Sequence, residues 1–300
     1  MKHAKKKSNG TKRHLLLLPV LVVAVVAFIL GATAADSWAK GWNWGDPEDF
    51  EVAELYFELN DTDEDLGIHG KIDGGPWKNI WVRDPFYRLM MNVKARGRLR
   101  QQAVTELFFE SAEPTFDDLE PDVFFDRFPE GEYSIYGWSE ENKLLKGEAL
   151  IRHVMPAPPG NIMISGGEEP INHKTVDCEG EELPVAVPED NGDVIISWDP
   201  VTESHPEIGT DGTIVAALYQ VVVEMEIEVE VDGEIEEFES VFSVDLPPTV
   251  TETTIPASFI NLGLDEEGEG EFKFEILVKE AEGGNQTAAE SCFVIEGEEE

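Results

Sequence analysis

Cysteine and basic charge are what this sequence has least of. Cys178 and Cys292 are the only cysteines among 300 residues, so at most one disulfide can form and no Cys-x-x-Cys motif exists. Lysine and arginine number 22 against 63 acidic residues, a formal net charge of −41. Such a field favours solubility, attracts cations and repels nucleic acid and anionic lipid, so no nucleic-acid partner is expected. Catalytic signatures are missing as well: there is no His-Glu-x-x-His, no Gly-x-Ser-x-Gly and no phosphate-cradling glycine loop. The histidines past the N-terminal segment, His69, His153, His173 and His205, are scattered through expected turns and strand ends. The chain is read as a non-enzyme.

The few basic residues are unevenly placed. Lys2, Lys5, Lys6, Lys7, Lys12 and Arg13 precede an apolar run from Leu15 to Leu30, which ends in Gly31-Ala32-Thr33-Ala34-Ala35. Charged, apolar and small-residue regions in that order describe a signal peptide over residues 1–35, cut after Ala34 or Ala35. The alternative is an uncleaved membrane anchor over residues 15–35, long enough for the ~20 residues that span a bilayer. Either way the remainder is placed outside the cytoplasm: secreted, periplasmic or extracellular, with the membrane met only through this segment. Without residues 1–35 the chain has 63 acids and 16 bases, a net charge of −47. Residues 168–300 hold 37 of those acids and three bases.

What is abundant is alternation of apolar and polar residues with period two, the mark of strands with one buried face. It is clearest in Leu218 to Asp245, broken at Val231-Asp232-Gly233-Glu234, where an Asp-Gly pair suits a tight hairpin turn. Earlier strands are expected at Val52–Leu59, Gly67–Ile72, Trp77–Arg83, Arg88–Ala95, Leu99–Phe109, Glu132–Trp138 and Leu144–Met155. Helical spacing of Phe116, Leu119, Val123, Phe124 and Phe128 adds a short helix near Pro121. The expectation is therefore an all-β protein of two β-sandwich domains in tandem, with that helix inserted in the first. A linker over 36–50 carries Trp38, Trp42 and Trp44; the first domain takes 51–155, a Pro/Gly linker 156–170, the second domain 171–297 and an acidic tail 298–300.

Two resemblances accompany this outline. Phe128-Pro129-Glu130-Gly131-Glu132-Tyr133 resembles a strand entry common in immunoglobulin-like sandwiches, over about ten residues. Over about 171–297, Ile196-Ser197-Trp198-Asp199-Pro200, Tyr219-Gln220-Val221, Leu262 with Leu264, and Phe274-Glu275-Ile276-Leu277-Val278 resemble the fibronectin type III family. That likeness implies a seven-stranded spacer or binding module; the family's corner tyrosine would be Phe272 or Phe274 here, and no Arg-Gly-Asp is present.

Three groups of residues are candidates for chemistry. Asp61, Asp63 and Asp65, with Asp73, are spaced to offer oxygen ligands to Ca2+, although Leu66 and Ile72 stand where an EF-hand has Gly and Glu; a solvated acidic turn is the alternative. Lys94, Arg96, Arg98 and Arg100 alternate as a basic comb on one strand, and Glu224, Glu226, Glu228 and Glu230 as an acidic comb on another, so the two could attract across domains or between molecules. Cys178 and Cys292 bracket the second half and could bridge it. The function expected is non-catalytic binding, adhesion or surface structure with a protein or glycan partner. The alternatives are a calcium-dependent surface or matrix protein and an exported hydrolase with a carboxylate site in the first domain.

Overall fold

The computed structural model describes residues 46–180, 182–231, 234–265 and 268–297. The expected signal segment, the tryptophans of the expected 36–50 linker, the expected Asp232-Gly233 turn and residues 298–300 lie outside the described residues. Among those described, no helix is long and apolar enough to cross a membrane.

From Pro47 onward the chain packs as one unit. Its strands are β1 (Glu48–Asp49), β2 (Val52–Asn60), β3 (Asp65–Arg83), β4 (Leu89–Lys94), β5 (Val104–Glu110), β6 (Gly131–Ser139), β7 (Leu144–Ile151), β8 (Val154–Pro156), β9 (Met163–Ile164), β10 (Val194–Ser197), β11 (Ser204–Gly209), β12 (Ala216–Val231), β13 (Glu234–Leu246), β14 (Glu252–Ile255), β15 (Gly270–Glu280) and β16 (Gln286–Ile295). Short helices α1 (Gly97–Gln102), α2 (Pro121–Arg127) and α3 (Ala257–Ile260) interrupt them. The fold is all-β, with two cores in tandem and α2 inserted in the first.

The first core gathers Leu55, Phe57, Ile72, Trp77, Ile80, Tyr133 and Ile135 from β2, β3 and β6. Phe124 and Phe125 of α2 meet Phe57 edge-on, with ring centroids 5.2 and 5.5 Å apart, the geometry aromatic quadrupoles favour. The second core lies between two layers. Strands β12, β15 and β16 supply Tyr219, Val221, Val223, Ile276 and Phe293, with Phe242 and Val244 of β13 packed against them; the smaller sheet β14-β10-β9 supplies Ile255, Ile196 and Ile164. Trp198 packs edge-on against Tyr219 at 5.4 Å.

One sheet runs through both cores in the order β1-β7-β6-β3-β2-β16-β15-β12-β13, with β4 and β5 also paired to β3. The seam is a parallel pairing of Glu58–Asn60 with Gln286–Ala288. Asn285, fully buried, fastens it: its Oδ1 accepts the Phe57 N–H at 2.9 Å, and its Nδ2 donates to Arg152 O and Val154 O at 2.8 and 3.0 Å.

Three expectations change at this level. The segment after Pro156 is no free spacer at its start, because Val154, Met155 and Pro156 are buried in β8 and Pro156 O accepts the Thr287 hydroxyl. Gly67–Ile72 and Trp77–Arg83 fuse into the single strand β3, whose register shifts between Asp73 and Trp77; Pro76 falls in that irregularity, where a missing ladder donor is tolerated. Leu99–Phe109 divides into α1 and β5, for α1 buries no side chain and nothing holds it against a sheet.

Candidate functional site

Asp61 follows β2 in a turn clipped onto β16: its N–H donates to Ala288 O at 3.0 Å, and Thr62 Oγ1 exchanges hydrogen bonds with the Glu290 backbone. The Asp61 side chain is buried. His173 Nε2 donates to its Oδ2 at 2.8 Å, while His205 Nε2 and Lys174 Nζ reach Oδ1 at 2.9 and 3.0 Å. His205 Nδ1 accepts the backbone N–H groups of Glu207 and Ile208, so its proton sits on Nε2. Burial pushes the Asp61 carboxyl up, but the hydrogen bonds from His173, His205 and Lys174 outweigh it and hold the group well below the usual carboxylate range.

This arrangement takes apart the calcium set. Both Asp61 oxygens are occupied by protein donors, and Asp63 accepts from Asn60 Nδ2. Asp73 pairs with Val52 while Asp65 pairs with Asn60, at opposite ends of the β2–β3 ladder. At ~3.3 Å per residue that is roughly 25 Å, too far for one ion.

Asp65 belongs to a different constellation. The cleft beside it, about 250 Å³, is lined by Glu58, Asn60, Asp65, His69, Glu110, Glu113, Glu275, Ala288 and Glu290. Glu275 and Glu290 lie directly opposite on β15 and β16. Burial, with Glu290 and Glu58 nearby, pushes Glu275 up to about 8; burial and Glu113 push Asp65 to about 6. Burial is also the main cause of the upward shifts of Glu58 and Glu290.

The opposite charge collects at the β3–β4 turn. Residues 83–100 carry six of the 16 bases left outside residues 1–35 and one acid, Asp84. Asp84 is buried and organises the turn: its Oδ1 accepts the N–H groups of Phe86 and Arg88 at 2.9 and 2.8 Å, and its Oδ2 meets Arg88 Nε at 2.5 Å. Tyr87 adopts a left-handed φ of 62°, uncommon for a side chain of its size. The outcome is a stiff tip with Phe86 67% and Tyr87 70% exposed. Arg88 lies over the Phe86 ring, 5.3 Å from its centroid, and Leu89, Met90 and Leu99 are exposed nearby in sequence.

The combs are not brought together. Lys94 ends β4, but Arg98 and Arg100 sit on α1, so the bases do not share one strand face. Arg100 approaches Glu140 at 3.9 Å. All four acids lie on β12, where Glu224 is in register with Lys273; none of the four bases pairs with Glu224 or Glu226 among the described residues. Cys178 and Cys292 are joined by a disulfide with 5.8 Å between their Cα atoms.

No family model matches the chain, and no curated protein matches it in sequence. Two solved structures align with most of it. Trypsin-activated alpha-2-macroglobulin from Escherichia coli is 9% identical, with 85% of this chain and 16% of that chain covered and a TM-score of 0.21. The BSP domain of a biofilm-associated protein is 9% identical, with 84% of this chain and 61% of that chain covered and a TM-score of 0.20. The chain thus spans less than two thirds of either.

Sequence reasoning passed over the most informative groups. Asp84-Pro85 reads as turn punctuation, though the density of arginine around Phe86-Tyr87 was a usable signal. His69 is joined to Glu110 and Glu113 only through the pairing of β3 with β5, which no short motif announces.

Proposed function

We propose that this chain is an exported, non-catalytic binding protein of the cell exterior, and that it grips an acidic glycan with the tip at residues 83–100. The observation that carries the reading is the stiff, exposed Phe86-Tyr87 pair set among arginines in an otherwise acidic protein. Exposed aromatic rings stack on sugar faces, and guanidinium groups take carboxylates in fork geometry. Lys94, Arg96 and Arg98 have no ion-pair partner among the described residues, so they are available to a ligand. The net charge of the whole chain does not forbid this, since at physiological salt charges beyond ~8 Å are largely screened and the local excess of bases governs contact.

The resemblance of residues 171–297 to fibronectin type III modules supports the same reading. Three strands, β14-β10-β9, face four, β13-β12-β15-β16, around Trp198 and Tyr219, although β9 (Met163–Ile164) comes from before residue 171, inside the expected linker. In this account the second core is the spacer and the first presents the contact. A second reading, an exported hydrolase, is expected from the sequence to use carboxylates of the first domain; the cleft instead joins Glu58, Asp65, Glu110 and Glu113 to Glu275 and Glu290 of β15 and β16. The reading is disfavoured because Ala288 is the one apolar residue lining that cleft, which leaves no wall against which a substrate could be held.

The test is calorimetric titration with polygalacturonate oligomers at low and high salt. Binding that weakens with salt, and at least tenfold in a Phe86→Ser/Tyr87→Ser variant, is expected. Equal binding by the variant would refute the tip as the contact, and hydrolysis of the oligomers would favour the second reading.

A further inference from the structure

The acidic cleft holds one imidazole. His69, 4% exposed, lies on β3 between the Tyr56 ring, with centroids 5.5 Å apart, and Phe108, which meets it edge-on at 6.2 Å. Its Nε2 is 2.7 Å from Glu113 Oε1. Its Nδ1 makes no hydrogen bond among the described residues; Glu58 Oε2 stands 3.7 Å from it, beyond hydrogen-bond reach. A ring nitrogen with no hydrogen bond of its own, beside a carboxylate in a cleft lined by acids, is open to a cation.

The backbone is shaped to bring the carboxylates in. His69 and Glu110 are cross-strand neighbours in the β3–β5 ladder. Glu113 folds back over Gly67, where any Cβ would collide with its carboxylate, so glycine at 67 is what lets that side chain reach the imidazole. One ligand atom from each of His69, Glu110 and Glu113 lies within 4.8 Å of the other two. Neither Glu110 nor Glu113 pairs with a lysine or arginine among the described residues, and Glu58, Asp65, Glu275 and Glu290 line the same cleft. The field therefore draws cations inward, and His69 is the one basic side chain among the residues lining the cleft.

We propose that His69, Glu110 and Glu113 form a binding site for a divalent first-row transition-metal ion such as zinc. The donor set decides the class of ion. Calcium takes oxygen ligands, whereas one imidazole nitrogen with two carboxylate oxygens suits zinc and its neighbours, with a fourth position left to water or Glu58. This site is separate from the Asp61 turn, whose carboxylate is already satisfied. It does not depend on the aromatic tip.

The experiment uses the full chain, stripped with chelator and titrated with zinc chloride by calorimetry, with Co2+ absorption as a spectroscopic report of mixed nitrogen and oxygen ligation. One zinc per chain is expected, together with visible Co2+ bands. Affinity should fall at least tenfold in Glu113→Gln and in Glu110→Gln. Glu110 is exposed, so its variant should keep the wild-type thermal transition and decides the matter even where a His69→Gln variant fails to fold. Absence of stoichiometric zinc binding would overturn the proposal, as would wild-type affinity in both glutamine variants, or displacement of zinc by an equal concentration of calcium. The Phe86→Ser/Tyr87→Ser variant should bind zinc normally, so failure here leaves the glycan reading untouched, and the converse holds.

Discussion

A buried carboxylate is tolerated only when donors surround it, and Asp61 and Asp84 meet that condition in different ways. Asp84 takes two backbone N–H groups and Arg88, and so turns four residues of chain into a fixed support for Phe86 and Tyr87. Asp61 takes three side chains that come from beyond residue 170, so one carboxylate ties the β2–β3 turn to the second half of the molecule. Because its pKa falls on folding, the stability it contributes is present above its ordinary value of 3.8 and is lost as pH drops through the lower folded value. Asp61→Asn should therefore cost about 3 kcal/mol at neutral pH. The difference from wild type should shrink as pH falls below about 4, which urea unfolding across that range measures. A constant difference at all pH values would mean that the charge of Asp61 is not what stabilises the turn.

At the scale of strands, the pair Glu275 and Glu290 poses the opposite problem. Like charges directly opposite on neighbouring strands repel, and here burial adds to the cost. A carboxyl raised from 4.5 to about 8 favours folding while it is protonated. Its stabilising effect is complete below about 4.5 and is lost as pH rises through about 8. Glu275→Gln, which imitates the protonated form, should match wild type near pH 4 and exceed it in stability near pH 9 by chemical denaturation. Equal slopes for the two proteins would contradict the assignment.

The same scale shows what was legible beforehand. Period-two alternation located β6 and β12 within a few residues, because each buries alternate side chains in a core. It misplaced α1, where the Lys94-to-Arg100 alternation has no buried face behind it. It could not reveal the seam between β2 and β16, since parallel pairing of strands more than two hundred residues apart leaves no local pattern. The acidic cleft was illegible for the same reason: Glu58, His69, Glu113, Glu275 and Glu290 converge only after β2, β3, β15 and β16 have aligned. Spacing gives ligand order along the chain but not which donors already satisfy each carboxylate, so the hydrogen bonds onto Asp61 were not legible in it.

Taken whole, the molecule is two β cores made into one unit by a shared sheet and by Asn285 and Asp61 at the seam, while the Cys178–Cys292 disulfide braces the second half. That bond closes a loop across a separation of 114 residues. By the chain-entropy account a loop of that size contributes about 5 kcal/mol, so reduction should lower the thermal midpoint while both cores still unfold in a single calorimetric transition. Two separate transitions in the oxidised protein would show that the seam does not couple the cores. In the proposed function this rigidity holds the basic and aromatic tip fixed on the acidic body, ready for an acidic glycan. Amide hydrogen exchange with and without polygalacturonate tests that function most directly. The account expects slowed exchange concentrated in residues 83–102 and little change in β12, β13 or the acidic cleft. Slowing confined to those acidic strands, or no slowing anywhere at saturating glycan, would contradict it.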